Sequence, residues 1–148
     1  MTYEHTQTAL LPPVASVVLG VVLVAVVGLT GSGADAVVAM IVFVVVITLV
    51  LAAFNQLRVQ VDGDEVVLRF RWGWPTKRIA LSEVHRVDVV RNKWWYGFGV
   101  RITPHGWMYN VWGLDAVELN FRDGNTFRIG TDDPAALAAA LSARVAPG

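Results

Sequence analysis

Two runs without a charged side chain dominate the first third of this 148-residue chain. Residues 10–30 read LLPPVASVVLGVVLVAVVGLT and residues 36–54 read AVVAMIVFVVVITLVLAAF, with only Gly31, Ser32, Gly33, Ala34 and Asp35 between them. A bilayer core about 30 Å thick is crossed by roughly 20 apolar residues in a helix. Strands seldom exceed about ten residues, so Val-rich runs of this length are expected to be helical. The short linker makes the pair an antiparallel hairpin. A cleaved signal peptide opens on a positive region, whereas residues 1–9 contain no Lys or Arg.

The charges fix an expected orientation. All twelve Lys and Arg lie at Arg58 or later, and residues 1–54 carry only Glu4 and Asp35. By the positive-inside rule, residues 55–148 face the cytoplasm. The expected protein is therefore a multi-pass protein of the cell's inner (cytoplasmic) membrane with both termini cytoplasmic. It divides into a tail (1–9), a two-helix hairpin (10–54) and a cytoplasmic domain (55–148). Within the spans the polar side chains are Ser16, Thr30 and Thr48; with no ionisable residue there, an ion path is not expected. Ser16 and Gly20 have the spacing that seats a second helix, either a partner's or the other arm of the hairpin.

Composition narrows the functional classes. The chain is 55% hydrophobic and 16% charged, against about 45–50% and about 25% for an ordinary soluble domain. Its net charge of zero argues against nucleic acid, whose binders carry a basic excess. Without cysteine there is no thiolate metal site or thiol nucleophile. The four serines have no nucleophile-elbow context, and His5, His85 and His105 lack metal-ligand spacing. Gly97-Phe98-Gly99 opens into a strand, so it lacks the helix N-terminus that cradles phosphate. The expectation is a non-enzymatic protein without a cofactor.

After residue 56 the pattern changes to period 2. Leu57, Val59 and Val61 alternate, and so do Val66, Leu68, Phe70 and Trp72. A two-residue type II′ turn at Gly63-Asp64 brings the two sets onto one face. Val117, Leu119 and Phe121 meet Phe127 and Ile129 across a three-residue loop, Arg122-Asp123-Gly124, with Gly124 left-handed. Further strands are expected near 76–81, 85–91, 98–103 and 107–112. Asp133 and Pro134 open a last helix whose Leu137, Leu141 and Val145 recur every fourth residue.

Seven or eight short antiparallel strands closed by one amphipathic helix is the arrangement of the pleckstrin-homology superfold. KRIALSEVHRVDVV (77–90) resembles the third and fourth strands of bacterial pleckstrin-homology-like (PH-like) domains. WWYGFGVRITPHGWMYNVWGLDAVELNFRDGNTFRIGTDDPAALAAAL (94–141) resembles a family of uncharacterised bacterial membrane proteins with the same two-part layout. The resemblance implies a membrane-anchored α+β fold: a transmembrane hairpin followed by a PH-like antiparallel β-barrel or sandwich with a C-terminal capping helix. It implies no catalytic or ligand residues.

Because Phe54 and Leu57 leave no room for a linker, the domain is expected to sit against the bilayer. Counting strands up and down from that anchor puts the turns at 62–65, 82–83, 103–106 and 123–124 far from the membrane. Those at 72–75, 92–96 and 113–114 lie near it. The far ends collect Asp62, Asp64, Glu65, Glu83 and Asp123, and the near ends collect Trp72, Trp112 and ten further residues, Arg69, Arg71, Trp74, Lys77, Arg78, Arg91, Lys93, Trp94, Trp95 and Tyr96. Aromatic and basic residues favour an anionic headgroup region, so those ten residues are the candidate membrane-interface and anionic-lipid residues. Trp72 and Trp107 are in phase with apolar strand faces and are expected in the core. The expected partners are membrane lipids or another membrane protein, with the domain binding or scaffolding at the inner leaflet. The competing expectation is an accessory subunit that packs its hairpin beside a larger membrane enzyme or transporter.

Overall fold

The computed structural model describes residues 3–145; residues 1, 2 and 146–148 of the expected tail and domain lie outside the described residues. The chain runs β1 (Tyr3–Thr8), α1 (Leu11–Leu29), α2 (Ala34–Ala53), β2 (Gln56–Asp62), β3 (Glu65–Phe70), β4 (Thr76–Ala80) and β5 (Val84–Arg91). It continues through β6 (Gly99–Thr103), β7 (Gly106–Asn110), β8 (Asp115–Phe121), β9 (Thr126–Gly130) and α3 (Pro134–Ser142).

Both long helices fall where the uncharged runs place them, and almost all of their surface is exposed. Neither helix is buried as a core helix within this chain. Prolines 12 and 13 occupy the first turn of α1, where a missing N–H costs no intrahelical bond. The arms meet through small and hydroxylated residues. Ser16 Oγ lies 3.0 Å from Thr48 Oγ1, and Gly20 is the buried residue of α1, so close to Val44 that a Cβ there would overlap its side chain. The Ser16/Gly20 spacing is thus used within the hairpin.

Residues 3–8, read from sequence as a tail, form a strand. β1 pairs with β2 along its whole length, from Tyr3 opposite Val61 to Thr8 opposite Gln56, and the Ala9 N–H donates to the Asn55 carbonyl at 2.7 Å. The hairpin therefore leaves and re-enters one sheet through adjacent strands. That sheet has the order β1-β2-β3-β4. Its β2–β3 turn is the expected two-residue loop, with positive φ at Gly63 and not at Asp64.

The second sheet, β5-β8-β9-β7-β6, departs from a simple meander. β5 pairs with β8 rather than β6, and β7 runs parallel to β9, so the sheets are not wholly antiparallel as expected. The segment after β5 must cross the sheet to reach β6 at the opposite edge. The β8–β9 loop is the expected one, with Gly124 left-handed and the Phe121 N–H donating to the Asn125 carbonyl at 2.9 Å. Backbone and side-chain N–H groups of Asn125 hold the Asp123 carboxyl below its ordinary value. The ionised form is thus favoured in the fold, and that contribution is lost as pH falls through the carboxylate range.

The two sheets share one core. Phe54, at the end of α2, meets Phe70 edge-on at 5.1 Å; Phe70 meets Tyr109 at 5.4 Å and Tyr109 meets Phe127 at 5.2 Å. The helix end is thereby tied into the sandwich. Asp133 caps α3, accepting from the Ala136 N–H at 3.1 Å, and Leu137 and Leu141 are wholly buried beneath it. His5 on β1 bonds to Asp132 just ahead of α3.

Two predictions follow from this packing. Leu137→Ala is expected to cost about 2–5 kcal/mol, read by chemical denaturation of the full chain in detergent. In this cysteine-free chain, Ser16→Cys/Thr48→Cys is expected to cross-link; adding Gly20→Leu lowers the yield and Val44→Ala restores it.

Candidate membrane interface

The far turns gather as the strand count places them. The Leu81 N–H donates to the Asp64 carbonyl at 2.7 Å, and the Arg122 N–H donates to that of Glu83 at 2.9 Å. At the opposite end, next to the helices, the Asn92 N–H donates to the Leu114 carbonyl at 2.6 Å, and Gln7 donates to that of Trp112 at 2.9 Å. Eight of the ten candidate residues fall into two groups on different parts of this near end, and Lys77 and Arg78 stand farther along β4.

The first group flanks α2. After Phe70 the chain turns sharply, the Gly73 N–H donating to the Phe70 carbonyl at 2.8 Å. Trp72 thus leaves the strand before its inward phase takes effect. It is 62% exposed, not buried, and Trp74 is 75% exposed. Both lie along the last turns of α2, where they and Val46, Leu49, Val50, Ala53 and Phe54 line an apolar recess of about 360 Å³. Eight helical rises separate Val46 from Phe54 at the helix cap, about 12 Å along the axis.

Arg69 and Arg71 stand on the other side of the same loop. With Gln56, Arg58, Phe70 and Gly73 they line a polar depression of about 220 Å³. Arg58 is the residue the sequence reading missed. It is the first basic residue after the second apolar run, and the strand count that places Arg69 near the membrane places Arg58 there too. On β4, Lys77 is opposite Leu68 and Arg78 opposite Val67. Arg78 pairs with Glu65 at 3.0 Å, which draws its guanidinium toward the far end, and neither residue lines the depression.

The second group lies on the crossing segment between β5 and β6. Arg91 is opposite Asp115 at the end of β5, and the Lys93 ammonium is 5.1 Å from the Trp95 ring. Trp94 and Trp95 meet edge-on at 5.7 Å and are both exposed. Tyr96 turns inward, its ring 6.0 Å from the Arg128 guanidinium. This strap explains an otherwise costly feature: Arg128 is almost wholly buried on the outer face of the second sheet. Its partners are Glu118 at 2.6 Å and Asn92 Oδ1 at 3.1 Å. Asn92, Arg128 and Tyr96 therefore serve the fold. Trp107, expected in the core, is 51% exposed opposite a still more exposed Ile102 at the edge of the sheet.

Beyond the strap, Phe98 stacks on Trp112 at 5.0 Å. Phe98, Gly99, Val100, Arg101 and Val111 face Pro12, Val50, Leu51, Phe54 and Asn55 across a cleft of about 300 Å³. The sandwich thus bears on the base of the hairpin from both sheets.

Comparison of the chain with protein-family models, with curated proteins and with solved structures finds no match. Arg128→Ala is expected to cost about 3–5 kcal/mol, because it leaves Glu118 unpaired in a low-dielectric setting. Limited proteolysis is expected to cut residues 92–98 faster in that variant than in the parent.

Proposed function

We propose that the chain is a non-enzymatic integral membrane protein with a PH-like cytoplasmic domain held end-on against the anionic inner leaflet, where it binds or scaffolds. The observation that carries this reading is the loop carrying Trp72 and Trp74, folded back along the last turns of α2. If α2 crosses the bilayer, those indoles lie in the interfacial layer that Trp favours. The charge distribution supports the same orientation. Every Lys and Arg follows the hairpin, and each basic residue near an anionic leaflet contributes about 1 kcal/mol.

One observation favours the accessory-subunit reading as well. An apolar cleft of about 560 Å³ runs along the hairpin, lined by Val17, Gly20, Val24, Val44 and Thr48 among others, and its lining would suit apolar side chains of a third helix. A larger membrane protein that co-purifies stoichiometrically in mild detergent supports this reading, whereas recovery of the chain without one favours lipid alone.

The leaflet reading is tested in bilayers containing headgroup-proximal brominated lipid, which quenches nearby indoles. Trp72→Phe/Trp74→Phe is expected to remove a large part of the quenching of the chain's fluorescence, and Trp107→Phe to remove none. Equal effects of the two variants contradict the docked orientation.

A further inference from the structure

The arginines beside the tryptophan loop form a more specific feature than a basic surface. Cross-strand register sets Arg58 directly opposite Arg69. Both lie on the outer face of the sheet, because their neighbours Leu57, Val59, Leu68 and Phe70 point into the core. Like charges set opposite each other on a ladder repel. Arg71 brings a third positive charge to the same depression.

Negative charge there is sparse. Glu4 Oε1 is 3.7 Å from Arg58 Nε, and Arg71 Nη1 donates to the neutral Asn55 Oδ1 at 3.3 Å. Among the described residues Arg69 has no ion pair. Three guanidinium groups thus line a cavity that also exposes Gly73, and of the three Arg58 alone is paired with a carboxylate among the described residues.

We propose that Arg58, Arg69 and Arg71 form a binding site for a phosphate group. Guanidinium stays charged at any physiological pH and offers paired N–H donors that match phosphate oxygens. A tetrahedral anion can accept from forks approaching from several sides, whereas a planar carboxylate satisfies one fork well. The residues that do not join the site define its limits: Arg78 is held by Glu65, and Lys77 belongs by alternation to the opposite face of the sheet. The site adjoins the tryptophan loop through Gly73, at the depth of phospholipid headgroups if the leaflet reading holds; only the source of the phosphate rests on that reading.

The test uses the full chain in neutral detergent, with lipid retention read by native mass spectrometry. The probes are phosphatidylglycerol and diacylglycerol with the same acyl chains, which differ in the phosphoglycerol headgroup. The parent chain is expected to retain phosphatidylglycerol selectively. Arg69→Gln/Arg71→Gln is expected to lower that selectivity about 100-fold, with the thermal unfolding midpoint unchanged. Arg69→Lys/Arg71→Lys, which keeps the charge, is expected to restore part of it. Selectivity equal in the parent and the Gln variant, or absent from the parent, overturns the site. Millimolar inorganic phosphate separates the sources: displacement of the lipid assigns the site to the free ion as well, and retention assigns it to the headgroup. Arginine-dependent selectivity without quenching by brominated lipid sinks the leaflet reading alone. Quenching with no arginine dependence sinks the phosphate site alone.

Discussion

The ladder between β1 and β2 is the constraint on which the rest of the arrangement depends. It joins the segment entering the hairpin to the segment leaving it, with Thr8 opposite Gln56 and Ala9 bonded to Asn55. Paired strands lie about 4.8 Å apart, and packed helices about 8–10 Å apart. The two helices can therefore diverge from adjacent strands with only a residue or two on each side. A domain attached at one such point by a flexible linker would sample many orientations. Attached at two adjacent strands, and with Phe54 packed on Phe70, it is fixed relative to the hairpin axis.

That fixed axis gives the sandwich a near end and a far end. A seven-residue strand spans about 23 Å, close to three Debye lengths at physiological ionic strength. Acidic turns at Asp64, Glu83 and Asp123 stand at the far end, where a charged leaflet would have little effect on them. Arg58, Arg69 and Arg71 stand at the near end, where such a field would be strongest. The two kinds of tryptophan follow the same axis. Trp72 and Trp74 border apolar helix, whereas Trp94 and Trp95 ride a strap whose structural work is to cover Arg128.

Much of this was legible in the sequence because it is local. Uncharged length gave both helices, Gly63-Asp64 and Arg122-Asp123-Gly124 gave their turns, and Asp133-Pro134 gave the start of α3. The β1 strand was not legible: Tyr3, His5 and Gln7 alternate only weakly, and their partners lie 50 or more residues away, beyond the hairpin. The crossing from β5 to β6 was hidden for a related reason. Period-2 alternation says which face a residue takes and not which strand lies beside it, so a meander and the observed order give the same pattern. Trp72 shows where alternation ends: the Phe70–Gly73 turn removes it from the strand one residue too early for its phase to matter. The grouping of the candidate residues was half legible. The strand count placed them at one end, but only the register could separate Arg69 and Arg71 from Arg78 and from the strap.

The most direct test of the fixed, membrane-facing axis is spin-label accessibility in lipid nanodiscs, which the absence of native cysteine makes straightforward. Labels at positions 74 and 123 would be compared for collision with oxygen, which concentrates in the bilayer, and with a water-soluble nickel complex. The account predicts an oxygen-dominated signal at 74 and a nickel-dominated signal at 123. Nickel-dominated signals at both positions would contradict it.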